Sequence, residues 1–262
     1  ISTYMERAIG SEMSGNVIDL CPVGALTSKP YRYHGRPWEN ICHDSIAPHD
    51  CVGSNIHVHT FRGLANRVVP KNNESINECW LSDRDRFSYQ GLLSNHRLRD
   101  PMIKVDGEWQ ETDWNTALEK VRDTIADTKE NSGSDQMGFL VSPSATLEEM
   151  LLLKKLANGL DVSNIDHRLR QVDFSHQNQQ PKFMSLGLPI EALDTIDAML
   201  LVGSNPGKEQ PIIAHRLRKA AKNGAEISLI NHRDYSLNMP LHCQLTESYA
   251  GLVSLLAEVA QS

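Results

Sequence analysis

The chain has 262 residues but only five cysteines, Cys21, Cys42, Cys51, Cys79 and Cys243, with no Cys-x-x-Cys pair among them. An odd, scattered set of thiols excludes a disulfide framework and fits a reducing compartment. No apolar run approaches the roughly 18 residues of a spanning helix, and Ile1 to Gly10 lacks the basic-then-apolar order of a signal peptide. Direct membrane insertion is therefore not expected. Basic residues are also in deficit: 26 Lys and Arg stand against 33 Asp and Glu, a net charge of −7. That balance offers no broad basic surface for nucleic acid or anionic lipid. There is no internal repeat, no Gly-x-Gly-x-x-Gly, and no Gly-x-Ser-x-Gly elbow to carry a nucleophile. The length suggests about one to two domains, enough for a real core. No initiator methionine opens the chain and no cysteine precedes Cys21, so an internal piece of a longer protein is expected.

What is present begins with Cys21-Pro22, in the run Gly15-Asn16-Val17-Ile18-Asp19-Leu20-Cys21-Pro22-Val23-Gly24-Ala25-Leu26. In ferredoxin-like segments a Cys-Pro often supplies the last thiolate of a 4Fe-4S site, because proline fixes φ and has no N–H, turning the chain away from the cluster. The plain alternative is a buried core thiol, since free cysteine packs as a small hydrophobe.

The wider stretch from Ser11 to Pro30, with Arg36-Pro37-Trp38-Glu39, resembles the large iron–sulfur subunit of respiratory complex I, NADH:quinone oxidoreductase. Further along, Leu81-Ser82-Asp83-Arg84-Asp85-Arg86-Phe87, Arg97-Leu98-Arg99-Asp100-Pro101-Met102, Trp114-Asn115-Thr116-Ala117-Leu118 and Leu201-Val202-Gly203-Ser204-Asn205-Pro206 resemble the molybdopterin oxidoreductase superfamily, to which the C-terminal part of that subunit belongs. The resemblance implies that Cys21 is one of four ligands of a 4Fe-4S cluster, the other three lying outside this chain. It implies electron relay from NADH and flavin toward quinone, with no catalytic residue of its own here. The other subunits of the peripheral arm would be partners, on the cytoplasmic side of a bacterial inner membrane or the matrix side of a mitochondrial one. The isolated chain would be inactive.

The organisation expected is an α/β chain in three parts. Residues 1–30 form the tail of a ferredoxin-like cluster domain, with a short helix near Thr3–Glu12. Residues 31–95 form a small β-rich module, opening with a loop rich in Pro, His and Asp from Tyr31 to Asp50. There the runs Ser54–Thr60 and Leu64–Pro70 about Arg62-Gly63 predict a hairpin. Residues 96–262 form a truncated, molybdopterin-oxidoreductase-like domain with a mainly parallel sheet covered on both faces. Its predicted elements are a helix from Trp114 capped by Asp113, a buried strand Met137–Val141, a helix from Thr146 to Asn158 ended by Gly159, and the strand–helix–strand Ala198–Val202, Pro211–Asn223, Ile227–Ile230. The Trp114 and Met150 stripes are expected in the core, Glu148 and Glu149 on a solvated face. Arg170–Gln180 is a polar stretch.

Other sites stand or fall on chemistry. Relatives with a second cluster carry Cys-x-x-Cys-x-x-x-Cys and a distant fourth cysteine. With Cys51 as the third ligand, the register puts Asp44, Ala47 and Ser82 at the others, and alanine cannot ligate iron. Cys42 and Cys79 are off register. His57 and His59 share one strand face, and His43, His49 and Cys42 are close by, but no usual zinc spacing appears, so packed or solvated histidines are expected. His167, His176 and His215 show no partner pattern. The loop Gly203–Glu209 is not a Walker A, because Glu209 stands where Ser or Thr should bind magnesium. It is read as a turn and no molybdopterin is expected. A molybdenum ligand between Phe139 and Leu188 would have to be Ser142, Ser144 or a neighbour. The rival readings are a molybdopterin enzyme of the formate dehydrogenase kind and a non-redox scaffold.

Overall fold

The computed structural model describes residues 9–168, 173, 175–181 and 184–261. The chain divides into two compact units, residues 1–92 with 183–262, and residues 93–182. Most of the helix expected at Thr3–Glu12 lies outside the described residues. Its last residues, 9–12, are coil and turn, and the first described helix is α1 (Asn16–Leu20).

Three antiparallel strands follow, β1 (Ile41–Ile46), β2 (Asn55–Phe61) and β3 (Leu64–Pro70), in that spatial order. The predicted hairpin is β2–β3. Phe61 pairs with Leu64 across Arg62 (φ 51°) and Gly63 (φ 80°), and two positive φ values make the primed turn that matches strand twist. β1 lies within the stretch expected to be loop. It is exposed along its whole length, so no alternation of apolar and polar residues marks it. A small core of Ala47, Ile56, Val68, Leu81 and Tyr89 closes the module. α2 (Asp83–Phe87) is capped by Ser82, whose Oγ accepts from the Asp85 N–H.

The second unit opens with a hairpin, β4 (Met102–Val105) and β5 (Glu108–Glu111). Next comes α3 (Trp114–Ser132), where Asp113 caps as predicted by accepting from the Thr116 N–H. β6 (Phe139–Leu140) pairs in parallel with β7 (Ile165–Asp166). Between them α4 (Leu147–Gly159) starts in a capping box of Thr146 and Glu149. Two expectations fail here. The strand is two residues long and only partly covered, and the Trp114 stripe faces solvent, with Trp114 itself 68% exposed. Met150 is half-buried while Glu148 and Glu149 are exposed. Among the described residues of this unit only Ala157 and Val162 join the buried apolar set.

Residues 184–261 return to the first unit with β8 (Ala198–Val202), α5 (Pro206–Glu209), α6 (Pro211–Lys222), β9 (Glu226–Asn231), β10 (Cys243–Thr246) and α7 (Tyr249–Gln261). The sheet is parallel in the order β10-β9-β8. Leu193, Leu217, Ala221 and Ile227 form its core, with Met199 and Leu201 packed against them. The other side of β8 is open, Leu200 and Val202 being exposed, so the sheet is not covered on both faces throughout.

A buried cation explains why this segment groups with residues 1–92. Arg216, 1% exposed, donates from Nε to the Ile76 carbonyl (3.0 Å), from Nη2 to the Glu74 carbonyl (2.5 Å) and from Nη1 to Asp194 (2.8 Å). Lys219 adds bonds to Glu78 (2.5 Å) and Asp194 (2.7 Å). A guanidinium is kept out of water only where its donors are answered, and here backbone carbonyls of the β-rich module answer them.

Candidate functional site

Cys21 terminates α1 in an extended conformation, with φ −79° and ψ 104°, as required to leave a helix before proline. The turn then reverses through Gly24 at φ +65°, where the Gly24 N–H reaches back to the Cys21 carbonyl. The Cys21 side chain is partly exposed in this turn. Hydrogen bonding from Leu26 holds its pKa below the ordinary value, against a little desolvation, and Val23, Ala25 and Gly24 add to the effect. Such a cradle of N–H groups stabilises negative charge on sulfur. Leu20 and Val23 flank the turn and face solvent.

The helix carrying Cys21 is clamped from α2, which sequence reasoning did not foresee. The Asp83 carboxylate accepts from Ser14 N–H (3.1 Å), Ser14 Oγ (2.5 Å) and Gly15 N–H (2.6 Å). Buried Asn16 donates to the Leu81 carbonyl (2.8 Å) and accepts from the Leu81 N–H (3.0 Å). Arg86, also buried, donates to Asn16 Oδ1 (3.0 Å) and to Asp19 (2.5 Å). Gly15 has no room for a side chain, since a Cβ would come within 2.7 Å of Arg86 Cδ. The available signal was the pairing of Asn16 and Asp19 with the charged run Asp83–Arg86, but only the fold brings them together.

The donor set at Cys21 fits one corner of a 4Fe-4S cluster: an amide-cradled thiolate at a Cys-Pro turn. The positions for a second cluster do not fit. Ala47 is in the core, and Ser82 is buried with its Oγ bonded to Asp85 (2.7 Å). Asp44 is ion-paired with Lys71 (2.5 Å). Cys42, Cys51 and Cys79 are all exposed, and among the described residues no group of three close ligand atoms contains two of them.

The histidines are mostly partnered. His43 bonds Thr60 (3.0 Å), His49 bonds Asp85 (2.8 Å), and Arg67 donates to His59 (2.9 Å). His57 and His59 share a face as predicted, their rings 6.4 Å apart. The His215 ring lies 5.5 Å from that of Trp80, tilted by 54°, and 3.5 Å from Glu78; burial lowers its pKa, with the Glu78 charge opposing. In the loop 203–209, the exposed Glu209 accepts from Ser204 Oγ (3.0 Å) and from the Asn205 N–H (3.3 Å). Lys208 is ion-paired with Glu12. Two donors of the loop, Ser204 Oγ and the Asn205 N–H, are thus answered by Glu209, and the Lys208 ammonium by Glu12. Ser142 and Ser144 are exposed; Ser142 Oγ accepts from the Ser144 N–H (3.2 Å). Parts of the polar stretch Arg170–Gln180, including residues 170–172 and 174, lie outside the described residues.

Comparison with known proteins extends these observations. Residues 97–250 match the model of the molybdopterin oxidoreductase family. Residues 42–90 match the NADH-ubiquinone oxidoreductase NDSU1/NuoG-like 4Fe-4S domain, and residues 1–27 the ferredoxin-like domain of NADH-quinone oxidoreductase subunit 3. The chain is 38% identical over 232 residues to the NADH-ubiquinone oxidoreductase 78 kDa subunit of Candida albicans, covering 88% of this chain and 32% of that protein. It is 37% identical over 225 residues to an NADH-quinone oxidoreductase subunit of Rickettsia felis, covering 86% and 32%. It is 33% identical over 279 aligned positions to the NADH-ubiquinone oxidoreductase 75 kDa subunit of Reclinomonas americana, covering 100% and 38%. The chain thus spans about a third of the length of these curated relatives. These relatives are named as subunits of NADH-ubiquinone or NADH-quinone oxidoreductase, and with the family model covering more than half of its residues the chain belongs to the molybdopterin oxidoreductase family.

Proposed function

We propose that this chain is part of an electron-relaying subunit of NADH:quinone oxidoreductase and that Cys21 is one of the four thiolates holding a 4Fe-4S cluster there. The observation that carries the proposal is the turn at Cys21-Pro22, where Cys21 leaves α1 in an extended conformation and the chain reverses through Gly24 at φ +65°. When bound, the cluster supplies one-electron transfer between neighbouring redox centres. The chain's own contribution is positional and electrostatic. Pro22 and Gly24 shape the turn, the amides favour negative charge on sulfur, and Asp83, Asn16 and Arg86 fix the helix that ends at Cys21.

The parts are residues 1–30 as the tail of the cluster domain, residues 31–95 as a module that has lost its cluster ligands, and residues 96–262 as a scaffold. The scaffold would contact other subunits of the peripheral arm, on the cytoplasmic or matrix side of the membrane. No helix of the described residues is long and apolar enough to cross a membrane. We also propose that no molybdopterin binds, a reading supported by the hydrogen bonds of the Glu209 carboxylate to Ser204 and Asn205 in that loop.

The test is Cys21→Ala in the assembled complex. One 4Fe-4S signal and NADH-to-quinone activity should be lost, while NADH oxidation by an artificial acceptor near the flavin survives. Full quinone reduction with an unchanged low-temperature EPR spectrum would remove Cys21 from the ligand set.

A further inference from the structure

In the β-rich module, β1 and β2 bring together three side chains that no spacing in the sequence connects. Cys42 and Asp44 are two residues apart on β1 and so share a face; His57 stands directly opposite Asp44 on β2. One ligand atom from each, the Cys42 sulfur, an Asp44 oxygen and an imidazole nitrogen, lie within 4.8 Å of one another. His57 Nδ1 lies 2.8 Å from Asp44 Oδ1, an ion-pair distance when the imidazole is protonated, though the angle is not that of a good hydrogen bond. Asp44 uses its other oxygen for Lys71, at 2.5 Å. Its Oδ1 is left turned toward the imidazole.

We propose that Cys42, Asp44 and His57 form a binding site for a zinc-class divalent cation, unrelated to the cluster held by Cys21. Thiolate, imidazole and carboxylate form a mixed donor set that selects zinc over magnesium or calcium, which take oxygen. Tetrahedral zinc with these ligands places sulfur and nitrogen about 3.6 Å apart and nitrogen and oxygen about 3.3 Å apart, so closure needs the exposed Cys42 side chain to swing in and Asp44 Oδ1 to back away from its 2.8 Å contact with His57. Binding releases the Cys42 thiol proton to solvent as sulfur takes the metal. The dication offsets the two negative ligands, and Lys71 keeps the Asp44 carboxylate oriented. Water completes the coordination, because three protein ligands leave the fourth position open.

Cobalt(II) is the probe, titrated under reducing, anaerobic conditions into the 262-residue chain. Expected are one equivalent bound, visible bands of tetrahedral cobalt with a thiolate charge-transfer band, and bleaching by zinc. Cys42→Ser should abolish the charge-transfer band. His57→Gln and Asp44→Asn should each weaken binding by about tenfold or more. Cys21→Ser and Cys51→Ser should leave the spectrum alone. The ligand positions on β1 are exposed, so a circular dichroism spectrum should show these variants folded. No thiolate band, a band that survives Cys42→Ser, or one that vanishes with Cys51→Ser or Cys21→Ser would overturn the site. Because Cys21→Ser is read separately, failure here leaves the cluster assignment standing, and failure there leaves this one.

Discussion

Helices α6 and α3 are both amphipathic, and they end in opposite circumstances. In α6, Ile212, Leu217 and Ala220 are at most 1% exposed, packed under the parallel sheet and pinned by Arg216 to the β-rich module. In α3 no residue is buried, and Trp114, Leu118 and Val121 lie in the open. The first unit carries nearly all the buried apolar side chains among the described residues, together with buried polar groups such as Asn16, Asn77, Asp85 and Arg216. The difference teaches that an apolar stripe states which face needs cover without stating that this stretch of chain supplies it. Residues 93–182 hold secondary structure through caps and local bonds, while residues 1–92 and 183–262 hold a core.

The contrast breaks most sharply at Arg216. Arg216→Ala leaves the buried carbonyls of Glu74 and Ile76 unanswered and Asp194 with Lys219 alone, so the first unit should lose about 3–5 kcal/mol in urea unfolding. If stability falls by less than about 1 kcal/mol, the network is solvated and the link between α6 and the module is not what joins them.

How far these features were legible follows from what makes them. The β2–β3 turn at Arg62-Gly63 and the Asp113 cap were readable because each is decided within four or five residues. β1 was not, because an exposed strand of Ile-Cys-His-Asp-Ser-Ile carries no period. Losing β1 also hid the Cys42, Asp44 and His57 group, which exists only once Asp44 is set opposite His57. Cys21 was legible as a ligand candidate from Cys-Pro and the surrounding run, but its clamp was not. Asn16 and Leu81 are 65 residues apart in sequence.

A smaller effect sharpens the comparison inside the first unit. Asn16→Ala removes bonds to Met13, Leu81 and Arg86. Leaving those buried groups unanswered should cost about 1–3 kcal/mol. The loss should be local, so amide exchange in residues 14–20 should speed up more than in β2 and β3. Uniform acceleration across the unit would mean that α1 is part of one cooperative core instead of a segment held by polar clamps.

The Cys21 thiol gives a pH-dependent readout of the same segment. Its depressed pKa means that the thiolate, which does the attacking, appears at lower pH than in a free cysteine. The rate of alkylation of Cys21, followed by peptide mass spectrometry, should therefore reach its half-maximum below about pH 8.5. In strong denaturant the midpoint should move up to about that value. A native midpoint at or above the denatured one would mean that the amides from Val23 to Leu26 do not face the sulfur.

The smallest effect belongs to the second unit, and its smallness is the point. Leu118→Gln on α3 exchanges an exposed apolar side chain for a polar one of similar helix propensity. Stability of the isolated chain should change by no more than about 0.5 kcal/mol, the range for surface positions. The companion change Leu217→Gln on α6 buries an unsatisfied amide and removes core packing, and should cost several-fold more. If Leu118→Gln proves as damaging as Leu217→Gln, the Trp114 stripe is covered by this chain in solution, and the distinction between a covered and an open helix face collapses.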